Sequence, residues 1–229
     1  MDEKLSVYVT NLRAYNEGRL VGGWLELPSP PEETARFMAD VVGIGKADPW
    51  GQPYEEAFIT DYDLTDWTAA CGLNEYIDLH SGAEYVPVES LDLLARTWER
   101  YGSEQALAAM AVYTKDEGCN SIDEMCNLII QSDDLHYTEY THDLGDAMER
   151  FGGTVVEVWD PDLDEALRKS GTRQLFDFER YGRDVLAVGN FYYGPEGYVS
   201  PEPGFDLELL SHDEIAERVL GPIPEEPER

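Results

Sequence analysis

Between Asp116 and Glu149 the chain carries ten carboxylates and not one Lys or Arg. That run limits what can form, because a compact structure holds like charges close together and their repulsion works against it. The rest of the chain does not balance it. The 229 residues include 48 acidic and 16 basic side chains, a net charge of −32. Residues 116–165 contribute −14, against −7 for 1–63, −5 for 64–115 and −6 for 166–229. Such a field gives no folding advantage, so a strongly basic partner is its expected cause. It also opposes direct binding to DNA, RNA or an anionic membrane.

Apolar residues make up 42% and aromatics 11% of the chain, enough for a core and too much for an acidic disordered tail. The length suits one large domain or two to three small ones. Cys71, Cys119 and Cys126 cannot all pair within one chain and fit no zinc spacing, so reduced thiols in a cytosolic protein are expected. No apolar run approaches the roughly 18 residues of a membrane span. Met1-Asp2-Glu3-Lys4 does not open a secretory signal.

Residues 5–11 alternate apolar and polar, as a half-buried strand does. Tyr15-Asn16-Glu17-Gly18 supplies a turn, and residues 19–27 complete a hairpin. A helix is expected over 31–42, with Pro31, Glu32 and Glu33 in its first turn, and a third strand over 54–62. A shorter helix is expected over Trp67–Leu79. Val88–Tyr101 spaces Leu91, Leu94, Ala95 and Trp98 as an amphipathic helix ending at Gly102 as C′ residue. Ser103 begins another through Tyr113. Ser121-Ile122-Asp123-Glu124 is a capping box for a helix to about Gln131. Thr141–Phe151 is expected as a helix closed by Gly152-Gly153, followed by a strand over Val155–Trp159. Asp160-Pro161 starts a helix ending near Gly171. Val185–Tyr193 and Gly197–Val199 read as a hairpin. The last 36 residues hold six of the thirteen prolines, so an extended or loosely packed tail is expected, with Ser211–Glu214 able to cap one late helix. The expected fold is α+β, an elongated chain of three small domains. These are an N-terminal antiparallel sheet with a helix (1–63), a small helical unit (64–115) and an acidic mixed α/β domain with a C-terminal extension (116–229).

Little here points to catalysis. Asp160–Asp164 opens like a calcium loop, but the glycine position is Glu165 and the closing glutamate position is Gly171. A helix N-terminus explains it better. Asp133, Asp134, His136, Glu139 and His142 are ligand types; on a helix His136 and Glu139 would be neighbours, yet the spacing matches no zinc or di-iron site. There is no nucleophile elbow, Walker loop or dinucleotide fingerprint. Paired carboxylates have almost no specificity among 48 acids. Tyr181-Gly182-Arg183-Asp184 reads as a helix stop with a local ion pair. No enzyme activity, cofactor or metal is expected.

Duplex DNA carries a charge per roughly 1.7 Å of axis, so 32 net charges correspond to about 54 Å, or about 16 base pairs. Carboxylates spaced i, i+3 and i+4 on helices could present that field to a DNA-binding protein. Adaptation to high salt is the competing reading, but it predicts an even coat of acids. A scaffold or chaperone for another basic protein is the alternative function.

Three blocks resemble the ArdA antirestriction family. They are Val7-Tyr8-Val9-Thr10-Asn11-Leu12 with Tyr15–Gly18, Leu20-Val21-Gly22, Trp24 and Leu27-Pro28; Ile59-Thr60-Asp61-Tyr62; and Tyr181-Gly182-Arg183-Asp184. The resemblance implies a DNA mimic carried by mobile genetic elements. It would fill the DNA groove of type I restriction–modification enzymes, on the methyltransferase core of specificity and modification subunits. It also implies an elongated three-domain chain that forms a homodimer through the third domain, and an antirestriction motif near Leu144–Asp160. Residues 68–87 look like an insertion and 194–229 like an extension. The carboxylates expected to meet the partner are Asp116, Glu117, Asp123, Glu124, Asp133, Asp134, Glu139, Asp143, Asp146, Glu149, Glu157, Asp160, Asp162, Asp164 and Glu165. Glu32, Glu33, Glu55, Glu56, Asp61, Asp63 and Asp66 are expected to assist.

Overall fold

The computed structural model describes residues 4–80, 86–141, 145–202 and 205–221. The elements follow in the order β1 (Leu5–Asn11), α1 (Leu12–Asn16), β2 (Gly22–Leu27), α2 (Pro31–Phe37), β3 (Ala57–Asp63), α3 (Asp66–Ala70), α4 (Leu73–His80), α5 (Val88–Tyr101) and α6 (Glu104–Glu117). Then come α7 (Ile122–Ile130), β4 (Leu135–Glu139), α8 (Ala147–Trp159), α9 (Pro161–Ser170), α10 (Phe178–Val188), β5 (Tyr192–Tyr193), β6 (Gly197–Pro201) and α11 (His212–Leu220). The fold is α+β, with two three-stranded antiparallel sheets ordered β2-β1-β3 and β4-β6-β5. Contacts group the chain into two compact units, both discontinuous in sequence. One comprises 1–102, 119–130 and 208–229; the other comprises 103–118 and 131–207.

In the first unit the alternation of β1 buries Leu5, Val7 and Val9 on one face, with Leu25 and Leu27 of β2 and Ile59 of β3 on the same side. The turn after α1 uses Gly18 at φ +79°. Helix α2 continues as a π-helical turn over Met38–Val42 and stops at Gly43, φ +81°. The segment expected as one helix over 67–79 is broken at Cys71-Gly72 into α3 and α4, with Gly72 at φ +87°. Trp67 stacks on Trp98 of α5 at 5.4 Å, a contact worth about 0.5–1.5 kcal/mol beyond its burial. Gly102 does end α5, but at φ −69° rather than in the left-handed region. It is glycine because a Cβ there would meet the Trp98 ring at 2.5 Å.

The proline-rich tail is less loose than its composition predicts. Tyr198 and Val199 of β6 are buried, and β6 is the central strand of its sheet. Helix α11 starts with a capping box between Ser211 and Glu214 and buries Ile215 and Val219. Asn127 of α7 holds the chain before α11 by donating to Leu210 O and accepting from Leu210 N.

The second unit departs most from the sequence reading. Helix α8 starts at Ala147, runs through Gly152-Gly153 and ends at Trp159, so the expected strand over Val155–Trp159 is helical. Gly152 is an approach point: a Cβ there would lie 1.9 Å from the Phe178 carbonyl oxygen of α10, and one on Gly182 would lie 3.0 Å from Met148 O. Each interior glycine costs a helix about 1 kcal/mol, offset by packing that buries Phe151 and Val155 against Tyr198. The expected strand over 185–193 begins as helix, since α10 continues to Val188, and only Tyr192-Tyr193 is extended. Tyr181–Asp184 lies inside α10, and Arg183 pairs with Glu179 one turn back. His136 and Glu139 lie on strand β4, not on a helix. His136 meets Glu202 at 2.7 Å.

Candidate functional site

The carboxylates of 116–165 are placed by very different local rules. Asp116 and Glu117 sit exposed in the last turn of α6, at the negative end of the helix dipole, where a carboxylate is destabilising. Tyr192 donates to Glu117 at 3.0 Å, and burial followed by this carboxylate pushes the Tyr192 phenol up from its ordinary range. Asp123 and Glu124 occupy the favourable first turn of α7. His212 Nδ1 lies 2.9 Å from Asp123. Glu124 N–H donates to Ser121 Oγ at 3.1 Å, but the Glu124 carboxylate accepts from Asn120 N at 2.6 Å rather than from Ser121. The expected capping box is therefore half-formed. Asp133 and Asp134 are exposed on a 3₁₀ turn over Ser132–Asp134, and Glu139 is exposed at the end of β4. Asp143 and His142 lie outside the described residues.

From Asp146 onward most of the acids do structural work. Asp146 caps α8 by accepting from Met148 and Glu149 N–H at 3.0 Å each, and Glu149 stands exposed in the first turn. Asp160 caps α9 through Leu163 N–H at 3.2 Å. Asp164 is only 7% exposed and bridges Arg168 at 2.6 Å and Arg173 at 2.9 Å. Glu157 meets the same Arg168 at 3.1 Å, and Glu165 meets Lys169 at 2.6 Å. Asp162 is exposed. This ion-pair cluster was legible in part, since Asp164/Arg168 and Glu165/Lys169 both have i, i+4 spacing. It backs a cleft of about 480 Å³ whose lining includes Glu149, Gly153, Arg168, Arg173 and Phe176.

The assisting residues are also outside. Glu32 and Glu33 open α2, Glu55 and Glu56 precede β3, and Asp66 opens α3, all exposed. Asp61 and Asp63 are exposed on β3. Asp48, buried in the loop before them, differs. Burial pushes its carboxyl up, but the Gln52 and Trp50 N–H groups and Arg13 outweigh burial and hold it below the ordinary range.

Along the sequence the charge is clustered; between the folded units it is not. The first unit holds 28 acids and 9 bases and the second 20 and 7, net −19 and −13 over 136 and 93 residues. Both carry about 0.14 net negative charges per residue and so attract cations alike. The fold divides the 116–165 stretch, placing 119–130 in one unit and the rest in the other. Clustering thus no longer separates a partner-directed surface from salt adaptation.

The thiols are not poised for chemistry. Burial raises Cys71 above its ordinary range and pushes Cys119 and Cys126 up to about 12, where the nucleophilic thiolate is scarce at neutral pH. Among the described residues no group of three or more His, Cys, Asp or Glu side chains could hold a metal ion. No helix among them is long and apolar enough to cross a membrane.

A comparison with curated proteins finds no match. Residues 7–200 match the model of a family described as antirestriction protein (ArdA). That span runs from β1 through β6 and takes in both sheets, the α8–α10 packing and every carboxylate of 116–165. It leaves α11 beyond its end. On that coverage the chain belongs to the ArdA family of antirestriction proteins, and its function is antirestriction.

Proposed function

We propose that the chain is a DNA mimic that inhibits type I restriction–modification enzymes by filling their DNA groove. The partner surface is the methyltransferase core of specificity and modification subunits. The observation that carries this reading is the placement of carboxylates where folding does not want them. Asp116 and Glu117 stand at a helix C-terminus, and Asp133, Asp134 and Glu139 are exposed in a stretch without Lys or Arg. Acids that oppose the helix dipole and one another are destabilising, so binding is the reason to keep them. Inhibition is stoichiometric occupancy, with no bond made or broken. The same proposal includes the domain order 1–63, 64–115 and 116–229, a homodimer, a cytoplasmic site of action and the carriage of the gene on a mobile element.

Binding of this kind is distributed, electrostatic and fast to form. A competition assay tests it. A type I methyltransferase core is bound to labelled duplex DNA and the full chain is titrated in. Displacement at near-stoichiometric protein is expected. Failure to displace at low salt, by protein shown to be folded, counts against the reading for that enzyme. Retention by a different basic protein would then favour an acidic scaffold.

A further inference from the structure

The open face of the β2-β1-β3 sheet is built unlike the rest of the acidic surface. Residues directly opposite each other across neighbouring strands lie on the same face. The register puts Tyr8 opposite Trp24 on one side and Asp61 on the other, and Ser6 opposite Glu26 and Asp63. One face therefore carries two aromatic rings and three carboxylates. The other face holds the buried Val7, Val9 and Leu25. It is this buried face that α2 and its π-helical turn cover, since a Cβ on Gly23, opposite Val9, would meet the side chains of Val41 and Phe37.

On the open face Trp24 is 49% exposed. Its ring meets that of Tyr8 edge to face, with centroids 5.4 Å apart and planes at 86°. Such a contact uses one face of one ring and leaves the others for an occupant. Elsewhere the chain covers rings with its own cations, as Arg13 does Trp50 and Arg173 does Phe178. Among the described residues no cation lies over Tyr8 or Trp24. Lys4, at the start of the sheet, is 3.7 Å from Glu26.

We propose that this face receives an arginine side chain of the basic partner. The guanidinium lies over the Trp24–Tyr8 pair and donates to Asp61, Asp63 or Glu26. Indole is the best ring for a cation, and a planar guanidinium both stacks on it and forks onto a carboxylate, which a lysine ammonium cannot do. A second copy of this chain would bring the same carboxylates to the face, and the like charges would repel. The inference rests on the reading above in that the partner is a basic DNA-binding protein. It adds a short-range contact to a field of screened charges.

Two experiments on the full chain test it. In the competition assay, Trp24→Leu raises the concentration for half-displacement roughly tenfold, and Trp24→Phe recovers most of the loss. Asp61→Asn with Asp63→Asn weakens displacement more than Asp184→Asn with Glu196→Gln, which removes the same charge elsewhere. In the second experiment the Trp24 indole N–H resonance is followed during titration with hexa-arginine and with hexa-lysine. A saturating shift at lower concentration of the arginine peptide, lost in the Asp61→Asn/Asp63→Asn variant, supports the proposal. Equal response to both peptides, or displacement unaffected by Trp24→Leu while the wild type displaces DNA, overturns it. If the wild type displaces nothing but Trp24 still selects arginine, the type I reading fails and the arginine site stands.

Discussion

The two ends of the acidic stretch use their carboxylates in opposite ways. Around α9, Asp164, Glu157 and Glu165 are matched with Arg168, Arg173 and Lys169 within one unit, while Asp146 and Asp160 cap helices. In 116–139 there is no basic side chain except His136, and Asp116, Glu117, Asp133, Asp134 and Glu139 are exposed. The first group is tied into the fold; the second works against it, apart from Glu117, which accepts from the Tyr192 hydroxyl. A count of acids therefore overstates the field a partner meets near α9 and is a fair measure of it in 116–139. Residues that stabilise and residues that bind can be told apart by what each carboxylate accepts.

The largest expected effect removes the frame of the structural end. Gly152→Val drives a side chain into the Phe178 carbonyl and should cost about 3 kcal/mol, the upper range for overpacking. It should be read as a fall in the denaturant midpoint with loss of near-ultraviolet signal from the Phe151 cluster. A neutral result would mean that α8 and α10 do not pack this closely. Asp164→Ala comes next. It leaves Arg173, with one quarter of its side chain exposed, and the half-exposed Arg168 without their shared carboxylate. The expected loss is about 2 kcal/mol, discounted from a fully buried pair because water reaches Arg168.

The contrast sharpens at the other end. Changing Asp116, Glu117, Asp133, Asp134 and Glu139 to their amides should leave the melting temperature unchanged or raise it, because repulsion is relieved. The same variant should displace DNA from the methyltransferase core several-fold less well. A lower melting temperature would make these acids structural and erase the distinction.

The smallest effect is set by pH. Hydrogen bonds from the Ser211 hydroxyl and N–H hold the Glu214 carboxyl below its ordinary range. A depressed carboxyl contributes its stabilisation fully above the ordinary carboxylate value and loses it as pH falls through the lower folded value. Amide exchange in the first turn of α11 should accelerate over that acidic window while α5 stays protected. Uniform exchange in both helices would show that the cap does not matter.

How much of this was legible follows from which forces are local. Strand alternation in β1, the turn at Gly18, the Asp160-Pro161 helix start and the Ser211–Glu214 capping box are decided by neighbours in sequence, and each formed as read. Gly152-Gly153 was misread because a glycine pair that ends a helix and one that lets two helices touch look alike until the partner helix is known. The β-branched run Val155-Val156 then suggested a strand, although its burial comes from α8's tertiary packing. Strand β4 was missed because His136, Tyr137, Thr138 and Glu139 lack a clean apolar alternation; pairing with β6 supplies what the local pattern does not. For the site, residue types were legible and roles were not. The i, i+4 spacing to Arg168 marks Asp164 as a partner for a cation where Asp162 has none, but nothing in the sequence shows that Arg173 also reaches Asp164 and that it is buried between the two guanidinium groups.

The most direct test of the central claim is the affinity of the full chain for a type I methyltransferase core, measured across salt concentrations without DNA. A DNA mimic predicts that log K falls steeply and linearly with log salt, as it does when the protein's basic groove binds DNA. Binding that is insensitive to salt and carries a large negative heat-capacity change would instead describe an apolar interface, and the carboxylates would not be the reason this protein binds.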